Sequence, residues 1–271
     1  MNATTVVEPA AVAIATPPAH VEPRVPPASR HDAATLAAGY TRTQHALNVA
    51  GLAAFCALAA WVGWQVFSRS LAPWQLLAGF VAGWVLTDFI CGLIHWAGDT
   101  WGRPGMPVIG RMFVRTFREH HVDPAAITRH GVVQVLGEQA LVAAPLMALL
   151  GFYDPADDDL AGTTVLVGAY VLLAGCMAAN LFHQWAHRRN PPALGRLLQA
   201  LGLVISFRQH ARHHCPPYTQ SYCIAIGWLN PVLDRIRFWR ALEWLVYKTT
   251  GAIPREDDLG REAALRLMRR R

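Results

Sequence analysis

Four long apolar stretches organise the chain, at 46–67, 73–95, 132–152 and 163–184. Each reaches or approaches the roughly 20 apolar residues that a helix needs to cross a hydrocarbon core. The pattern predicts an all-α, polytopic protein with four transmembrane helices. Between them lie a short loop at 68–72, a long basic loop at 99–131 and an acidic loop at 153–162, YDPADDDLAG. Beyond 186 the chain is long and basic, and 194–207 and 231–248 read as amphipathic helices lying in the membrane interface. Residues 1–44 are rich in Ala and Pro and are expected to be a disordered tail. Glu8 and the prolines interrupt any signal-peptide core, and no basic region precedes it. The expected organisation is a tail at 1–44, one membrane domain at 45–253 and a basic C-terminal tail at 254–271.

Composition strengthens this picture. The chain is 53% hydrophobic and 15% charged, with 10 Trp, whereas a soluble domain averages about 25% charged residues. A soluble enzyme and a disordered chain are both excluded. A net charge of +6 suits either nucleic acid or an anionic membrane surface, and the apolar runs decide for the membrane, with no nucleic-acid partner. The positive-inside rule then fixes orientation. Placing 1–45, 99–131 and 186–271 in the cytoplasm leaves only Arg69, of 24 Lys and Arg, on the far side. Both termini are therefore expected to be cytoplasmic, in a bacterial inner membrane or an ER-type membrane. The five Cys form no CxxC pair, and Cys56, Cys91 and Cys176 lie within apolar runs, so no disulfide framework is expected.

Histidine placement carries the chemistry. Apart from His20, His31 and His45, the 12 histidines all lie between 95 and 214, and all nine fall on the predicted cytoplasmic side. His183 and His187 are i, i+4, so both rings leave one helix face, which Asn180 shares. His95 and Asp99 repeat that spacing, with Asp88 two turns away on the same stripe. His210, His213 and His214 form HxxHH, His120 and His121 are adjacent, and His130 opens the third span. A lone HxxxH is most often a packed or exposed pair. Four such clusters at one membrane face predict a multinuclear metal site. Imidazole suits Fe, Zn, Cu and Ni alike, so the residues leave the metal open. The absence of a CxxC partner argues against a zinc finger, and HExxH is missing too.

Asp88, Glu138 and Asn180 are ionisable or polar groups within spans, each either functional or a helix–helix hydrogen bond. Glu119 and Asp123 flank the adjacent histidines and either orient their rings or face solvent. Cys215 follows His214 but is not needed as a ligand, and Cys223 reads as packing. Arg115, Arg118, Arg129, Arg208 and Arg212 lie near the clusters. They are candidates for binding a phosphate, of which Arg118, Arg129 and Arg212 are singled out, or serve topology alone. Trp96, Trp101, Trp185, Trp228 and Trp239 suit an interfacial belt.

Four blocks, DFICGLIHWAGDTWG at 88–102, FREHHVDPAAITRH at 117–130, NLFHQWAH at 180–187 and HARHHCPPYTQSYCIAIGWLN at 210–230, together resemble the plasmanylethanolamine desaturase (Kua/CarF-like) family of membrane lipid desaturases. The likeness covers about 75–260 and includes FWRALEWL at 238–245. It implies four transmembrane helices with cytoplasmic interfacial helices carrying a His-rich di-metal site. The metals would be two iron ions held by His95, Asp99, His120, His121, His130, His183, His187, His210, His213 and His214, with His95, Asp99 and His187 as catalytic residues. The implied reaction turns the sn-1 alkyl ether of an ethanolamine phospholipid into the vinyl ether of a plasmalogen. It consumes O₂ and two electrons from an external donor, a cytochrome b5-like protein or a ferredoxin. The family also has a bacterial link to light- and singlet-oxygen-induced carotenoid synthesis, and a plant branch acting on an acyl chain. After His130 the family resemblance calls for a more polar segment. Here the chain reads GVVQVLGEQ, and Glu138 is the candidate acidic residue.

The competing readings are an acyl-lipid desaturase or hydroxylase of the same di-iron class, a divalent-metal transporter, and a non-enzymatic metal-binding signalling protein. Transporters hold ligands near the midplane, whereas these histidines gather at one interface.

Overall fold

A computed structural model describes residues 31–269, and the part of the expected tail at 1–30 lies outside the described residues. Asp32 accepts the Thr35 amide and caps a short helix, α1 (Ala33–Ala38). Thr41 caps α2 (Arg42–Phe67) in the same way. Helical structure thus begins at Ala33, ahead of residue 45, because two capping side chains start helices there.

Among the described residues four helices are long and apolar enough to cross a membrane: α2, α3 (Pro73–Thr100), and the two that become α6 (Val132–Leu150) and α7 (Leu160–His187). Between α3 and α6 come a π-helical turn at Gly110–Val114, α4 (Arg115–Val122) and α5 (Ala126–Arg129). α2 packs along α6 and α3 along α7, while α6 also meets α7. Small residues allow the close approach. A side chain at Gly83 would strike the Gly168 carbonyl, and one at Gly137 would strike Asn48. Outward-facing Leu77, Phe80, Leu149 and Val165 are exposed, as a lipid-facing surface requires.

α3 and α7 run past their apolar stretches. Asp99 therefore ends up on the last turn of α3, and His187 on the last turn of α7. The chain after α7 forms α8 (Ala193–Ala200), α9 (Phe207–His210), α10 (Asn230–Arg235), α11 (Phe238–Thr250), α12 (Glu256–Leu259) and α13 (Arg261–Arg269). Neither amphipathic segment is one continuous helix. Gly202 at φ 67° breaks the first, and Arg237 at φ 55° breaks the second.

Asp88 is wholly buried in α3 and hangs this extramembrane lobe on the bundle. Its Oδ1 accepts the amides of Ile226 and Gly227 at 2.9 Å, and its Oδ2 accepts that of Leu229 at 3.1 Å. The expected C-terminal tail is also structured. Arg255 is buried, its amide donates to the Thr100 carbonyl at 2.8 Å, and Asp257 takes both Nε and Nη2 of Arg118.

Candidate metal centre

Four segments bring their imidazoles to one place. Helix ends supply His95 and Asp99 from α3 and His183 and His187 from α7. α4 gives His120 and His121, and the turn after α9 gives His210, His213 and His214. Two groups result. His120, His183, His187, His210 and His214 form one, and His95, Asp99, His121 and His213 the other, with ligand atoms within 4.8 Å of one another inside each. The groups adjoin: the rings of His95 and His183 are 5.6 Å apart, centre to centre.

The atoms that face each other are mostly lone-pair donors. The Tyr222 carbonyl, 3.1 Å from His95 Nδ1, can only accept, so that nitrogen carries the proton and Nε2 is left bare. The Gln220 carbonyl fixes His213 likewise at 2.9 Å. Asp99 Oδ2 then lies 3.3, 3.2 and 3.1 Å from Nε2 of His95, His121 and His213. In the other group His210 Nε2 is 2.8 Å from His183 Nε2 and 2.9 Å from His214 Nε2. Two nitrogens each about 2.1 Å from one metal, roughly at right angles, stand about 3 Å apart. His95 Nε2, both Asp99 oxygens and both His120 nitrogens are buried with no hydrogen-bond partner. Bare donors at ligand-to-ligand spacing fit a cation and fit little else.

Burial, reinforced by neighbouring imidazoles, holds His120, His210 and His214 well below the usual histidine range. They are neutral at pH 7, the form that binds metal.

Behind the first contacts stands a polar scaffold that the sequence reading missed. Arg255 Nη2 donates to the Tyr222 hydroxyl at 2.6 Å and to Glu243 Oε1 at 2.7 Å. Tyr222 in turn donates to the Tyr218 carbonyl at 2.6 Å. Tyr222 falls within the histidine-rich block at 210–230, but nothing in the sequence sets Arg255 apart from the other arginines of the C-terminal segment.

Other expected site residues stand outside the two groups, although His130, Glu138 and Asn180 line the cavity beside them. His130 belongs to neither group, and its Nε2 is 3.4 Å from Glu119 Oε1. Arg118 is buried, with Nη1 on the Gly98 carbonyl and the rest of its fork on Asp257, so it braces α4 against α3 and the C-terminal segment. Arg129 is exposed and pairs with Asp123, and Arg212 is exposed. Asn180 donates to the Val135 carbonyl, a helix–helix bond. Glu138 meets Gln44, Thr116 and Arg115.

A cavity of about 460 Å³ opens against the centre, within the range of ligand sites. His95, His120 and His183 border it, and its walls include Ile90, Val142, Leu146, Leu172 and Leu173. On α7 the lining runs from Leu172 to His183, about 16 Å of helix. A long apolar slot therefore ends on the histidine centre.

A four-span bundle in which a long, mainly apolar slot ends on paired groups of metal-binding side chains has the form of a metal-dependent enzyme that acts on a lipid chain. Residues 84–257 match the lipid desaturase domain family, and the chain belongs to it. The matched stretch holds all nine clustered histidines and Arg255. Plasmanylethanolamine desaturase of Myxococcus xanthus is 37% identical over 88% of this chain and 85% of its own. Plasmanylethanolamine desaturase 1 of Mus musculus is 36% identical over 70% and 73%. The chloroplastic fatty acid desaturase 4 of Arabidopsis thaliana is 38% identical over 70% of this chain and 57% of its own. No solved structure matches the chain significantly. The protein is a membrane-embedded oxidoreductase that desaturates lipids.

Proposed function

We propose that the substrate is an ethanolamine phospholipid with an sn-1 alkyl ether, and that the product is its vinyl ether. The carrying observation is the slot that ends on His95, His120 and His183. The relatives from Myxococcus xanthus and Mus musculus, both named for this activity, support the choice of lipid.

Two iron ions are the metals of this reading, held by His120, His183, His187, His210 and His214 and by His95, Asp99, His121 and His213. Zinc would satisfy the same donors but has no redox chemistry. Iron supplies the oxidising power to take hydrogen from C–H bonds beside an ether oxygen, which no acid or base in the site can ionise. The residues do the rest. Tyr222 and Gln220 aim two imidazoles through their carbonyls, Asp99 balances positive charge, and the apolar walls fix the alkyl chain and exclude water. C1′ and C2′ each lose one hydrogen. O₂ takes these with two further electrons and two protons, leaving as two waters.

The electrons come from a cytochrome b5-like protein or a ferredoxin at the cytoplasmic face. Both termini and the centre lie in the cytoplasm, in a bacterial inner membrane or an ER-type membrane, which the distribution of Lys and Arg supports. The likeness to fatty acid desaturase 4 favours one rival, desaturation of an acyl chain.

The test is lipid analysis of a host that makes the protein and is fed an alkyl-ether phosphoethanolamine lipid. Acid-labile vinyl ethers that vanish with His187→Ala are the expected result. New double bonds confined to acyl chains would transfer the assignment to the rival.

A further inference from the structure

Cys91 on α3 and Cys176 on α7, 85 residues apart in sequence, have their sulfurs 3.6 Å apart. Both line the lipid slot, and Cys91 stands one helical turn from His95. The helices are in tight contact at this level: a Cβ on Gly175 would lie 2.6 Å from Thr87 Oγ1. Cys56 and Cys215 are exposed and Cys223 is buried against Gly92. The desaturation chemistry makes no use of the facing pair.

We propose that Cys91 and Cys176 form an oxidisable dithiol, a redox-modification site in the wall of the slot. A disulfide holds its sulfurs about 2.05 Å apart, so closure brings these together by about 1.5 Å. The oxidant is hydrogen peroxide, made when O₂ takes up two electrons and two protons while no lipid fills the slot. Both sulfurs line the same slot that His95, His120 and His183 border, so peroxide formed there is released beside them. The O–O bond breaks, the S–S bond forms, and both thiol hydrogens leave in two waters. The cysteines lose two electrons and peroxide gains two. Disulfides in a reducing compartment are usually transient and redox-sensing, and this one ties the helix of His95 and Asp99 to that of His183 and His187. Lipid turnover is then held down until a thiol reductant reopens the bond. The source of peroxide rests on the desaturase reading; the dithiol does not.

The test treats the full-length, metal-loaded protein in detergent micelles with hydrogen peroxide. It is then denatured and alkylated with iodoacetamide, and its cysteine peptides are weighed. The Cys91 and Cys176 peptides are expected joined and unalkylated, with Cys56 and Cys215 still modified, and dithiothreitol should reverse the change. Cys176→Ser should lose the cross-link and also the peroxide-induced fall in turnover, measured against its own untreated activity. Full alkylation of Cys91 and Cys176 after peroxide would overturn the proposal, and so would equal peroxide sensitivity in Cys176→Ser. If that variant does not fold, the wild-type peptide masses decide alone. The thiol readout needs no lipid. A protein that forms the bond but makes no vinyl ether would sink the substrate assignment and leave the dithiol standing.

Discussion

Arg255 and Glu243 form a wholly interior ion pair, 2.7 Å between Nη2 and Oε1, each at most 2% exposed. Arg255 also grips the hydroxyl of Tyr222, whose carbonyl aims His95. Removing one partner of a buried pair costs about 3–5 kcal/mol, because a charge is left stranded. Arg255→Met should fall at the low end of that range, since Arg240 still reaches Glu243. Thermal unfolding in detergent checks this, and an unchanged midpoint would refute it.

His213 is fully buried and belongs to the group that contains Asp99. His213→Ala removes one donor there and leaves the five-histidine group intact. The expected result is loss of one metal equivalent and retention of the other, read by elemental analysis of the purified protein, with vinyl-ether formation abolished. Full metal content in the variant would show that His213 is no ligand.

Acid should destabilise the metal-free protein. Burial lowers the pKa of His120, His210 and His214 below the unfolded value, about 6.5. In the window between the two values the unfolded chain binds more protons, so stability rises with pH there. The melting temperature is expected to be flat above about pH 7.5 and to fall steadily from about pH 6.5 downward. A midpoint that rises on acidification would contradict the buried, neutral histidines.

Leu172 marks the end of the α7 lining remote from His183. Leu172→Trp should shorten the slot without touching the ligands. Competition between long- and short-chain alkyl ethers is expected to swing toward the short chain, with metal content unchanged. A proportional loss on both chains would mean that the chain does not extend that far.

Much of this was legible in the sequence because its physics is local. A hydrocarbon core demands long apolar helices, and i, i+4 spacing puts His183 with His187 and His95 with Asp99 whatever surrounds them. Eight of the nine clustered histidines entered the two groups. His130 did not, because it stands at the start of α6 beside Glu119, where spacing alone cannot aim a ring. Arg118 looked like a phosphate ligand because proximity to His120 was the only available signal. Its partner Asp257 is 139 residues away. Arg255 resembles any arginine of a basic tail for the same reason: its partners, Tyr222 and Glu243, appear only once the chain has folded back. The breaks at Gly202 and Arg237 were hidden because amphipathic periodicity runs straight through them.

Asp88 gives the architecture a further consequence. The lobe that delivers His210, His213 and His214 is suspended by three amides from a carboxylate inside a membrane helix. A soluble fragment starting after α7 would keep those three imidazoles but lose the hook that sets their height above the bilayer. Folding is thereby ordered: α3 must be in place before the lobe that follows α7 can mature into a cup for metal.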